Sequence, residues 1–257
     1  MRRFIKWVLI TLAALIALFI LAVMVIPKVA PQFGSSARGE HLELIQQSPN
    51  YIDGKFQNLM KTSMNGENGS MLDAFWKFLK GGANREPKDT LVTYPFSSST
   101  FNASANPVSF TWFGHSTVLL RIAEKNLLID PVFSNHASPF SFFGPKAFPY
   151  SNTYDLIQLP KIDAVLVSHD HYDHLDYETM LELRERVDRY FVPLGVGAHL
   201  QRWGIPANQI TEMDWWDEAN FGDEILFACV PMRHFSGRGV GDRYHTLWAG
   251  WVIKTDE

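Results

Sequence analysis

The chain has a single cysteine, Cys229, so no internal disulfide can brace it and cysteine usage assigns no redox compartment. Cys229 sits in an apolar run and reads as a small core residue. There is no basic surplus either. Lys and Arg number 23 against 27 Asp and Glu, a net charge of −4, which argues against a nucleic-acid partner. No internal repeat is visible, and no low-complexity segment beyond one apolar run at the N-terminus. What is present suits a large core: 46% of the residues are apolar, with 8 Trp and 19 Phe. A length of 257 residues fits one large domain, or a domain with appendages.

The apolar run occupies residues 7–26, behind the basic Arg2, Arg3 and Lys6. About 20 helical residues span roughly 30 Å, the thickness of a bilayer core. A cleaved signal peptide is the competing reading, but its apolar region would be about 7–15 residues and end in a small-x-small site. Here Pro27 and Pro31 crowd the one candidate site near Ala30. The expectation is an uncleaved single-pass anchor over residues 1–27. Lys28 is the only close positive charge after the span, so the positive-inside rule leaves the N-terminus cytoplasmic and the globule on the extracytoplasmic side.

Residues 28–106 read as a tether and N-terminal extension, with short helices near 41–47 and 70–79. Strands are expected at 108–113, 118–122 and 126–129, with a tight turn at Glu124-Lys125. An aromatic, proline-rich stretch follows at 138–150, SPFSFFGPKAFPY, which suits a lipid-facing loop and a core-packing loop equally. A continuous apolar strand at 162–168 is of the type buried on both faces. A helix at 177–187, a strand at 190–193, a helix at 197–203 and strands at 210–212, 218–221, 224–232 and 246–254 complete a mixed α/β sandwich.

Directly behind the apolar strand stands SHDHYDHLD, residues 168–176. His169 and His171 are two apart, so in an extended segment both imidazoles point the same way and can converge on one ion. Asp173 and His174 follow where the chain turns into a helix, and a turn there can aim them at a second ion close by. Imidazole nitrogen with carboxylate oxygen suits zinc, and manganese or iron as well. The plainer reading is a polar loop that caps the next helix, a role open to Asp176. His234 ends an apolar strand as the motif does and is the best further donor; His245 is a weaker one. His136 and His199 read as surface residues. His115, in the turn Gly114-His115-Ser116, reads as an orienting or substrate-contacting residue.

These residues resemble the metallo-β-lactamase superfamily, whose signature is H-x-H-x-D-H. The blocks at 112–116, 128–134, 144–146, 192–195 and 214–216 are similar to the branch containing N-acyl-phosphatidylethanolamine-hydrolysing phospholipase D. The resemblance implies a four-layer αββα sandwich over residues 107–257, with metals at one edge between the sheets. It implies His169, His171 and His234 as ligands of a first zinc, and Asp173 and His174 as ligands of a second. It further implies a phosphodiesterase of the phospholipase D type acting through a metal-bound hydroxide that Asp173 orients, on a phospholipid or another phosphodiester at a bilayer.

One departure from the family pattern stands out. The family carries a bridging aspartate in a Gly-Asp turn, and a later histidine, beyond the strand at 246–254. This sequence stops at Glu257, and Asp256 does not fit that turn. The expectation is therefore a C-terminally truncated sandwich with an incomplete second metal site, two zinc ions being held only by the complete protein. The alternatives are a non-catalytic metal-binding or interaction protein, and a hydrolase of esters or lactones.

Overall fold

The computed structural model describes residues 1–62, 70–82 and 84–255; Asp256 and parts of the 28–106 extension lie outside these. Helix α1, Arg2–Val29, has a mean hydropathy of 3.1 over its most apolar window and none of that window is buried. At 1.5 Å per residue it is about 42 Å long, enough to cross a bilayer core, though a signal sequence meets the same criteria. Where the sequence suggests a tether, the chain instead folds back onto the globule. Helix α2, Glu40–Gln47, and the small hairpin β1, Tyr51–Ile52, and β2, Lys55–Phe56, place Ile45 and Phe56 in the core at 1% exposure each. The helix at 41–47 is legible in sequence, but Phe56 is a single apolar residue in a polar stretch and carries no periodic signal. Helices α3, Met71–Lys80, and α4, Ser98–Asn102, follow; Ser97 caps α4 through a bond from Thr100 N.

Six strands form the main sheet: β3 Val108–Gly114, β4 Thr117–Ile122, β5 Lys125–Ile129, β6 Ile162–Leu166, β7 Val187–Pro193 and β8 Ile210–Met213, paired in that order. The first two pairings are antiparallel, the last three parallel. The β4–β5 turn is Ala123-Glu124, one residue earlier than expected. Both residues have positive φ, as a two-residue hairpin turn matched to strand twist requires. Helix α5, Tyr177–Leu183, follows β6, and Asp176 does cap it. It is shorter than expected: Val187 begins β7 and pairs with Ile162. Helix α6, Gly197–Arg202, separates β7 from β8. A second, antiparallel sheet holds β9 Glu218–Phe221, β10 Ile225–Pro231 and β11 Ala249–Thr255, with β10 central.

The core divides by the period of two along the strands. On β5, Leu127 faces the second sheet and Leu128 faces the helices; on β6, Ala164 and Leu166 face the sheet and Val165 the helices. Burial on both faces explains the unbroken apolar run of β6. Met180, Leu183 and Leu200 cover the helix side, while Phe227, Cys229 and Trp248 fill the space between the sheets. The result is the expected mixed α/β sandwich. Its sheets are stitched at one edge, where Ala249 N donates to Ser168 O (2.8 Å) and Trp251 Nε1 to Val167 O (3.0 Å).

Candidate metal centre

Four strand ends meet at that edge. The parallel strands β5 and β6 end side by side, delivering Asp130 and the segment Ser168–His174. Beyond β10 comes His234, and the β3–β4 turn carries His115. Loops at the carboxyl ends of parallel strands are the usual place for a site in such sheets.

His169, His171 and His234 form one cluster. His169 Nε2 lies 2.9 Å from His171 Nδ1 and 3.1 Å from His234 Nε2; His234 Nε2 is 3.3 Å from His171 Nδ1. Three nitrogens on one face of a tetrahedral zinc site with bonds of about 2.05 Å would sit about 3.3 Å apart, so the triangle fits such an ion. Burial, then repulsion from His174, His171 and His234, pushes His169 down to about 2. Burial also lowers His171 and His234. Burial thus favours the neutral form of all three rings, the form that binds metal.

A polar relay sets the tautomer of His169. Ser168 N and Oγ donate to the two oxygens of Asp130, at 2.6 and 2.7 Å. With its proton committed there, Ser168 Oγ accepts from His169 Nδ1 at 2.9 Å, which leaves Nε2 bare towards the cluster. His234 is held by its backbone: His234 N donates to Asn58 Oδ1 (3.1 Å) and Asn58 Nδ2 to His234 O (2.8 Å).

A second cluster adjoins the first. The rings of His169 and His174 are 4.1 Å apart between centroids. It gathers His115, Asp173 and His174. Asp173 Oδ2 lies 3.1 Å from His115 Nε2 and 3.9 Å from His174 Nε2. His174 Nδ1 donates to Asp130 Oδ2 at 2.8 Å, so Nε2 is the free donor atom. Burial pulls the His174 pKa down, but the hydrogen bond and charge of Asp130 outweigh it, and the net shift is upward. The His115 and Asp173 side chains are half exposed, so this cluster opens to solvent.

The sequence-predicted donors His169, His171 and His234 are thus brought together, and Asp173 and His174 stand next to them. His115, expected to orient or to touch substrate, sits within hydrogen-bond reach of Asp173, and its backbone, at φ +46°, is fixed by Trp112 Nε1 donating to His115 O (2.9 Å). His136 and His245 lie outside both clusters. His199 is not a surface residue: it is buried, with Ser35 N donating to Nδ1 (2.9 Å) and Asp170 Oδ2 3.4 Å from Nε2. Sequence reasoning missed Asp130 and Asn58. A carboxylate closing a strand beside the motif strand is the only sequence signal for Asp130; Asn58 had none.

Comparison with known proteins agrees with this geometry. The Beta-lactamase superfamily domain matches residues 125–257, just over half of the chain. The chain belongs to that superfamily. An uncharacterized protein of Mycobacterium tuberculosis is 42% identical over 212 residues, covering 81% of this chain and 55% of its own length. The N-acyl-phosphatidylethanolamine-hydrolyzing phospholipase D 1 of Caenorhabditis elegans is 35% identical over 173 residues, 64% of this chain and 48% of that protein. A metal-dependent hydrolase of Pyrobaculum calidifontis is 30% identical over 149 residues, 57% and 56% of the two chains. The chain spans about half the length of the curated relatives it matches. Metal-dependent hydrolases are therefore among its relatives, and its own His and Asp clusters are of a kind that binds metal.

Proposed function

We propose that this superfamily member is a membrane-anchored, metal-dependent phosphodiesterase of the phospholipase D type. The observation that carries the reading is the triangle of imidazole nitrogens on His169, His171 and His234, 2.9 to 3.3 Å apart. His169, His171 and His234 would hold one ion, and Asp173 and His174 a second beside it. Zinc suits the donors best, and manganese and iron also fit them. Bound metal would supply Lewis acidity and lower the pKa of water. The chain's own groups do the rest. Asp173, half exposed in the second cluster, would orient the attacking water. His115, beside it, would contact the substrate. Asp130 and Ser168 fix the ring that each cluster presents.

The choice of phosphodiester rests on the phospholipase D relative, and the choice of a lipid substrate also on α1, which would hold the domain, residues 107–257, at a bilayer with its N-terminus cytoplasmic. The test is metal stoichiometry together with hydrolysis of phospholipid, ester and lactone substrates in vesicles, for the unaltered chain and for His169→Ala and His171→Ala. Phosphodiester cleavage that disappears with the metal in both variants is expected. Ester or lactone cleavage alone would reassign the substrate, and bound metal with no hydrolysis would leave a metal-binding protein.

A further inference from the structure

The loop that carries His171, Asp173 and His174 is not held by the two sheets alone. We infer that Arg238 is a positioning residue of the metal centre, one that locks this loop to the exit of the N-terminal helix. The inference rests on the metal-centre reading above.

Arg238 is 4% exposed, and every nitrogen of its guanidinium is used. Its Nη1 donates to the carbonyls of Asp170 (2.6 Å) and Leu175 (2.8 Å), which bracket the donor-bearing loop. On its other side, Nε and Nη2 donate to the carbonyl of Gln32, at 3.2 and 2.8 Å. The ring of Tyr172, inside the same loop, lies 4.0 Å from the guanidinium carbon, and that of Trp203 lies 5.1 Å away. Tyr172 Oη donates back to Arg238 O at 2.7 Å. A planar fork points its donors in opposite directions, towards two ends of a loop on one side and another stretch of chain on the other; a lysine's three donors all radiate from one atom.

Gln32 is itself immobilised. Arg202 donates to the carbonyls of Gly34 (2.6 Å), Val29 (3.1 Å) and Lys28 (3.3 Å), and Trp203 Nε1 donates to Pro31 O (2.7 Å). Gly34 has φ +72°, and a Cβ there would fall 2.0 Å from His199 Nδ1. His199 in turn reaches Asp170 at 3.4 Å, and Asp170 is pinned by Gly237 N (2.7 Å) and Thr246 Oγ1 (2.8 Å). The segment 28–35 is thus a bonded strap between α1 and the motif loop, and Arg238 hydrogen-bonds directly to the backbone of both.

The experiment uses the full chain in detergent, with zinc affinity read by chelator competition and cluster geometry read from the absorption of bound cobalt. Arg238→Met is expected to lose at least tenfold in zinc affinity and to shift the cobalt band, while thermal unfolding stays cooperative. Arg238→Lys keeps the charge without the fork and is expected to recover little. Arg202→Met, at an exposed position whose guanidinium donates to three strap carbonyls, is expected to lose affinity several-fold. It carries the test alone if Arg238→Met does not fold. Unchanged affinity and cobalt spectrum in Arg238→Met, or full recovery in Arg238→Lys, would overturn the positioning role. Unchanged affinity in Arg202→Met would overturn the link to the helix exit. Failure of the unaltered chain to bind zinc would instead sink the metal-centre reading.

Discussion

Asp130 Oδ2 accepts from His174 Nδ1 at 2.8 Å, and the same carboxylate holds Ser168, whose hydroxyl in turn fixes His169. One side chain therefore orients a donor in each cluster. Partners of this kind are worth about 10–100-fold in metal affinity. Asp130→Asn is expected to reduce binding at both clusters by about that factor. It should also remove the upward shift of the His174 pKa, a change visible by NMR titration of the metal-free protein. Loss at the second cluster only would show that the relay through Ser168 carries nothing.

Asn58 clamps the backbone of His234 from 176 residues away in sequence. Asn58→Ala leaves both backbone groups without that partner, at a cost of about 1–3 kcal/mol if water does not replace it. The expected result is a lower melting temperature and a weaker first cluster. Metal affinity equal to that of the unaltered chain would show that His234 is placed by β10 alone.

Helix α2 is pinned by a close pair, His41 with Glu212, whose carboxylate also accepts from Gly195 N and Gly197 N. The hydrogen bond that His41 makes to the Glu212 carboxylate is the largest influence on its pKa and raises it above the ordinary histidine value, against the opposing effect of burial. A group whose folded pKa is raised contributes stability that is complete below its unfolded pKa of about 6.5 and is lost as pH climbs through the folded value. Thermal stability should therefore fall as pH rises from about 6.5, and His41→Gln should flatten that part of the profile. A slope unchanged by the substitution would assign the dependence elsewhere.

As an uncleaved anchor, α1 should keep the protein in the membrane fraction through carbonate extraction, with mass spectrometry finding the N-terminal segment intact. A soluble chain beginning near residue 30 would mark a signal peptide instead.

Much of this fold was legible because burial writes itself into short sequence patterns. The run at β6 could be read as a strand packed on both faces, and the motif behind it named the side chains the structure gathers. Val187 was misread because its spacing from Met180 and Leu183 suits a helix as well as a new strand; pairing with Ile162, 25 positions earlier, decides the matter. His199 was misread because its buried partners, Ser35 and Asp170, lie 164 and 29 residues away. The extension at 28–106 carries Phe56 and Phe101 into the core as isolated apolar residues, a pattern without a period. The unread part is the part that depends on contacts between distant segments.

Cys229 has no exposed surface, and burial pushes its thiol pKa up, so it is a poor nucleophile. A cysteine introduced elsewhere would be the one reactive thiol on the molecule. The protein is thus a ready-made host for site-directed spin labels and fluorophores. A probe at Phe142 or Phe143, 82% and 70% exposed in the aromatic loop, could report its depth against lipid without first removing a native thiol.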